Sequence, residues 1–288
     1  MTYRFRAART ALARDPGHLP LRDRAVLRLL NRTGAATVSQ LTTLAYRNRR
    51  LAQDRLRRLW TWGYLERTTL PPAGTRGGAP LAYRLAPAAI GRLGYRRTPW
   101  HGPGYLAHTL DAVEAVCAIV SSTDPETQPI VALWLPESIA GDLLPGGPLP
   151  DAVIVLESGS GSAVLCLEID EHTQHRTPIR DKLTGYRRAL DGRPGWHVLF
   201  VVPTQARARW LRRVGRDVGA GVTTAWVTTL DELRSAGAAA RLAPIAGEAS
   251  GGPTLSALAT GPVMPSTAPV GTVRWLEVLG SGGSETTA

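Results

Sequence analysis

The chain has 288 residues and a net charge of +11, and an apolar fraction of 43% is enough for a buried core spread over two domains. No apolar run approaches the roughly 18 residues of a membrane span, and the basic start "MTYRFRAARTALARDPGHLP" lacks a signal peptide's apolar segment. The expectation is a cytoplasmic protein with no membrane partner. Cys117 and Cys166, both in apolar runs, read as reduced core thiols.

The charge is unevenly placed. Residues 1–100 hold 20 arginines against four acids, whereas residues 101–288 hold 14 basic residues against 19 acids. This predicts two modules, the first of which seeks a polyanion, most simply nucleic acid.

In chain order, "LPLRDRAVLRLLNRTGAATVSQLTTLAY" predicts two helices around a glycine turn, with Leu27, Leu30, Leu41 and Leu44 apolar and Ser39 as a cap. "RNRRLAQDRLRRLWTW" predicts a third, with Leu51, Leu56, Leu59 and Trp60 inward and Arg47, Arg49, Arg50, Arg57 and Arg58 left for the surface. "GYLERTTL" and "LAYRL" read as strands joined by a Pro/Gly-rich loop with Arg76 near its tip. Three helices and a hairpin are the winged helix-turn-helix arrangement. Its third helix suits the major groove of double-stranded DNA, and its hairpin tip can reach the neighbouring backbone. The competing reading is an arginine-coated helical domain that binds a protein or nothing. A domain boundary is expected at the Pro/Gly-rich stretch 98–104.

The second half begins with the helix "HTLDAVEAVCAIVSS". The strand "IVALWLPES" and the strand pair "PDAVIVL" and "AVLCLEID" follow, the pair joined by "ESGSGS". "TPIRDKLTGYRRAL" is a helix with Thr177 as cap and Pro178 at its first position. "WHVLFVV" is a buried strand. A helix over 205–217, the strand "VTTAWVT" and a helix opened by a Thr229–Glu232 capping box complete the order.

Two features of this half point to chemistry. If Leu156 pairs with Ala163 across the hairpin, Asp151 lies opposite Glu168, a facing of like charges that costs stability. Alternation puts Glu168 and Asp170 on one face. A metal ion, a cationic neighbour or exposure at the strand end would each explain the acids. Lys182, the one lysine among 34 basic residues, lies beside the apolar stripe Ile179, Leu183, Tyr186 and Leu190, within reach of them. Two carboxylates on Mg²⁺, with Mn²⁺ as a substitute, and a nearby lysine are the equipment of metal-assisted phosphodiester hydrolysis. A structural reading, in which Asp151 begins a surface strand and Lys182 salt-bridges Asp170, competes with it. His172 and His175 invite a zinc reading without a cysteine pair to support it.

The pieces "HTLDAVEA", "LWLPES", "LPDAVIVL", "LEIDEHT" and "KLTGYRRAL" together resemble the PD-(D/E)XK nuclease-like superfamily. More narrowly, the chain resembles the replication-relaxation family, which joins a winged helix to such a core. The resemblance implies an α/β protein, with a winged helix over 15–97 and a restriction-endonuclease-like core with a mixed sheet over 105–242. A largely disordered tail over 245–288 is expected from its composition, with "GTVRWLEVLG" as a short docking element. The resemblance also implies Asp151 and Glu168 as metal ligands, helped by Glu114 or Asp111. The superfamily's lysine normally stands where this chain has Asp170, so Lys182 would supply the cation. The implied role is plasmid or mobile-element replication, relaxation or transfer, by nicking or by DNA binding alone, with other replication or transfer proteins as possible partners.

Overall fold

A computed structural model describes residues 5–7, 16–71, 79–95, 105–122, 130–171, 175–218, 224–246 and 251–260. It divides inside a helix: one unit ends at Val113 and the other begins at Glu114.

The first unit is built on β1 (Arg6–Ala7), α1 (Leu21–Thr33), β2 (Ala36–Thr37), α2 (Val38–Ala45), α3 (Arg49–Thr61), β3 (Leu65–Thr69), β4 (Leu81–Leu85) and α4 (Pro87–Arg92). The predicted Leu27, Leu30, Leu41 and Leu44 are all buried. Gly34, at φ 86°, makes the turn after α1 that a side chain would resist. The cap of α2 is Thr37, not Ser39: its hydroxyl accepts from Gln40 N, and the Gln40 side chain accepts from Thr37 N. The displacement has a simple cause, since Thr37 closes β2 as an extended residue and so has the backbone a cap needs. In α3, Ala52, Leu56 and Leu59 are buried, while Leu51 and Trp60 are half-buried. The strands form one antiparallel sheet in the order β1-β3-β4-β2.

Helix α5 (Leu106–Ser121) carries the division. Leu106 and Leu110 pack with Ala35 and Ala82 of the first unit, and Gln40 Nε2 donates to Leu110 O at 2.8 Å. The expected boundary at 98–104 lies outside the described residues.

The second unit comprises β5 (Ile130–Pro136), α6 (Glu137–Ala140), β6 (Ala152–Ser158), β7 (Gly161–Ile169), α7 (Arg176–Ala189), β8 (Trp196–Val202), α8 (Gln205–Val218), β9 (Ala225–Thr229), α9 (Leu230–Ala236) and β10 (Ala243–Pro244). Its mixed sheet runs β10-β9-β8-β7-β6-β5. Strands β5, β6 and β7 pair antiparallel, and β7, β8 and β9 pair parallel through the crossover helices α7 and α8. Every residue of β7 is buried, and Ala163–Leu167 is a continuous apolar run, with Glu168 as the buried acid after it. One face of the sheet packs Val164, Cys166, Val198 and Phe200 against Ile179, Leu183 and Tyr186 of α7 and Ala208, Leu211 and Val214 of α8.

Helix α7 starts at Arg176 with His175 before it and no side-chain cap, so Pro178 stands at the third helical position. The first-turn N–H groups have no intrahelical acceptor, so a proline is tolerated there. Thr229 caps α9 by accepting from Glu232 N, but the Glu232 carboxylate accepts from Arg241 N rather than closing the box. In the segment expected as a disordered tail, residues 251–260 pack. Leu255, Leu258 and Ala259 are buried, and Leu242 N donates to Pro253 O at 3.0 Å. Residues 261–288, with "GTVRWLEVLG", lie outside the described residues.

Candidate functional site

The β6–β7 hairpin pairs Leu156 with Ala163 and Ala152 with Leu167, which is the predicted register. Asp151, one residue beyond the last pair, therefore stands across from Glu168. Its backbone N–H donates to Leu167 O at 3.0 Å, and its Oδ2 accepts from Ile169 N at 2.7 Å. The carboxylate is thus held against the end of β7 rather than free on the surface.

Glu168 is 2% exposed and points at α7. Lys182 Nζ donates to its Oε2 and the Tyr186 hydroxyl to its Oε1, each at 2.5 Å. These two donors are four residues apart, one turn of a helix whose apolar stripe packs on the sheet. Burial pushes Glu168 up to about 7 and the Asp151 carboxylate adds to the push, while Lys182 and Tyr186 pull the other way. Burial pulls Lys182 down, but Glu168, Asp151 and Asp170 together hold it above its ordinary value. Tyr186 is raised by burial and by Glu168.

Asp170 does not join this group. It is buried and accepts from Arg207 Nε at 2.7 Å and from a second Arg207 nitrogen at 3.1 Å. The Arg207 guanidinium in turn stacks 3.8 Å from the Trp210 ring. Glu114, suggested as a helper, accepts from Arg234 Nε at 3.2 Å. His175 is exposed at the start of α7, and His172 lies outside the described residues.

In the first unit, Arg47, Arg49, Arg50, Arg57 and Arg58 are all exposed, and Arg57 pairs with Asp54 at 3.1 Å. Arg76 lies outside the described residues. A groove of about 740 Å³ is lined by Thr37, Arg49, Gln53, Arg57, Arg67 and Tyr83. Arg67 stacks 3.7 Å from the Trp60 ring at its edge. Arg55 is different: it makes a two-pronged ion pair with the buried Asp23.

A family model described as replication-relaxation matches residues 27–198. The chain belongs to the replication-relaxation family. The matched span holds both the arginine-bearing α3 and the acid hairpin with Lys182, so both features fall within the family's own extent. No curated protein and no solved structure matches this replication-relaxation chain.

The donors available to a metal can be tested against the geometry. Among the described residues, no group of three or more His, Cys, Asp and Glu side chains is gathered to hold one. What the hairpin of this replication-relaxation protein offers is two hard carboxylates in opposition. Glu168 stays raised although both its oxygens already have donors, first because it is buried and then because Asp151 faces it. Mg²⁺ is commonly held by one or two carboxylates, with water and phosphate oxygens completing its shell. The two carboxylates are oxygen donors of the kind that ion takes, and among the described residues no histidine or cysteine stands with them as a zinc site would require.

Sequence reasoning missed Tyr186 as a partner of Glu168 and Arg207 as a partner of Asp170. Tyr186 belongs to the apolar stripe by spacing, yet its hydroxyl still needs an acceptor once buried. Arg207 falls in phase with Leu211 and Val214 on α8, which was the available signal for a buried arginine.

Proposed function

We propose that this protein acts on the double-stranded DNA of a plasmid or mobile element, in replication, relaxation or transfer. The three helices and hairpin of the first unit serve as a winged helix-turn-helix, with exposed Arg49, Arg50 and Arg57 meeting the duplex. The second unit serves as a PD-(D/E)XK-like core that nicks the DNA with Mg²⁺, or Mn²⁺ in its place. Its order of helix, three antiparallel strands, helix and parallel strand supports that reading.

The observation that carries the proposal is the 2.5 Å contact between the chain's one lysine and Glu168, with Asp151 across the hairpin. A bound divalent cation supplies an acidified water and neutralises phosphate charge. Asp151 and Glu168 hold it, and Tyr186 fixes the orientation of Glu168. Lys182 stabilises charge developing on the phosphate. Asp170 is already neutralised by Arg207, which leaves the cationic role to Lys182.

A second reading rests on one observation. Both Glu168 oxygens are occupied and the residue is 2% exposed, as suits a core that binds DNA without cutting it. Incubation with supercoiled plasmid and Mg²⁺ or Mn²⁺ separates the two. Nicked circles that disappear with Asp151→Ala, and with Asp151→Asn, which keeps an acceptor for Ile169 N, establish the nuclease. DNA binding without nicking establishes the second reading. Absence of any salt-dependent DNA affinity ends both.

A further inference from the structure

The basic residues of the acidic second half are not scattered. Of the 14 in residues 101–288, 11 fall between 176 and 216, a stretch with Asp181 and Asp191 as its acids. Outside 175–218 the same half holds three basic residues and 16 acids. The intervening β8 is buried apart from half-exposed His197, so ten of the 11 sit on α7 and α8, which pack on one face of the sheet, and Arg193 lies between α7 and β8.

These arginines divide by what they do. Arg207 holds Asp170, Arg212 Nε donates to Pro244 O at 3.0 Å, and Arg176 pairs with Asp217. They serve the fold. Arg209, Arg213 and Arg216 are exposed, and their side chains have no hydrogen-bond or ion-pair partner among the described residues. On a helix the three lie within about 60° of one another and span about 10 Å of its axis. Like charges three and four apart repel and weaken a helix unless a polyanion lies against them. Asp217, next in the chain, is turned to Arg176 and does not relieve them.

We propose that the outer face of α8, through Arg209, Arg213 and Arg216, is a second docking site for the phosphate backbone of DNA, separate from the first unit's arginines. It rests on the reading that this protein acts on DNA, and adds where the duplex lies on the second unit. Guanidinium groups pair with phosphate oxygens in two-pronged fashion, and three in a row match a backbone that repeats its charge. The acidic remainder of the unit repels DNA and confines it to this face. Lys182, on the neighbouring α7, belongs to the same basic pair of helices.

The test is fluorescence anisotropy of a short labelled duplex with the full chain over a range of KCl concentrations. The triple variant Arg209→Gln, Arg213→Gln, Arg216→Gln should weaken binding roughly 10- to 100-fold at low salt and lower the salt slope by about 2 to 3. Lysine at the three positions should restore the slope, and the melting temperature should hold or rise as repulsion is removed. Unchanged affinity and slope in the glutamine variant, while wild type binds with a steep salt dependence, overturns the proposal. Loss of polyglutamate binding with duplex binding intact overturns it in favour of an acidic protein partner. No salt-dependent binding by wild type instead removes the proposed function on which it stands.

Discussion

Glu168 receives one hydrogen bond from Lys182 and one from Tyr186, and still sits at about 7 because it is buried facing Asp151. Removing the ammonium leaves a buried carboxylate with one donor. Lys182→Met should therefore raise Glu168 further and cost about 2–3 kcal/mol in urea unfolding, less than for a pair that cannot neutralise itself by taking up a proton. Unchanged stability would show that the ammonium does not engage Glu168. His197 supplies the pH dependence. Burial lowers it to about 4 from 6.5, and its Nδ1 accepts from Trp226 Nε1 at 3.2 Å. The unfolded chain takes up this proton near pH 6.5 and the folded chain only near 4, so stability is lost as pH falls through that window. The loss is on the order of 2–3 kcal/mol. Thermal melts should show the stability of wild type relative to His197→Gln shrinking between pH 7 and pH 4.

At the scale of elements, the end of β7 is tied to both crossover helices: Glu168 to α7 and Asp170 to α8. The Asp170–Arg207 pair is the more enclosed of the two. Asp170→Ala leaves a buried guanidinium without its counter-ion and should cost about 3–5 kcal/mol, with most of the loss recovered when Arg207→Leu is added. Equilibrium unfolding of the two variants measures the difference. The approach of α8 to β10 sets a second limit. A Cβ at Gly215 would fall 2.2 Å from Ile245 Cγ2 and 2.7 Å from Ile245 O. Gly215→Ala should destabilise by about 1–3 kcal/mol, because backbone as well as side chain must give way.

Across the whole molecule, arginine does two kinds of work. Arg55, Arg84 and Arg207 pair with Asp23, Glu66 and Asp170, while Arg49, Arg50 and Arg58 stand exposed on the first unit. The two kinds should separate by experiment. Arg49→Gln with Arg50→Gln should lower the salt slope of DNA binding by about 2 and leave the melting temperature unchanged. Arg55→Gln should do the reverse, costing about 3 kcal/mol by orphaning Asp23 and leaving the slope as it was.

Much of this was legible in one dimension because it depends on local periods. Alternation along β6 and β7 set Asp151 against Glu168, and the 3.6-residue repeat put Lys182 beside the buried stripe of α7. Composition alone showed the basic front half. Tertiary structure decided the rest. The partner of Asp170 lies 37 residues away and reaches it only because α8 packs beside α7 on the same sheet face. The division within α5, the burial of Leu255 and Leu258, and the exposed arginine stripe on α8 likewise depend on which elements become neighbours. A helix or strand repeat states which way a side chain faces. What it faces is settled by packing, and so is whether a charge ends as a tie within the fold or stays open to a partner.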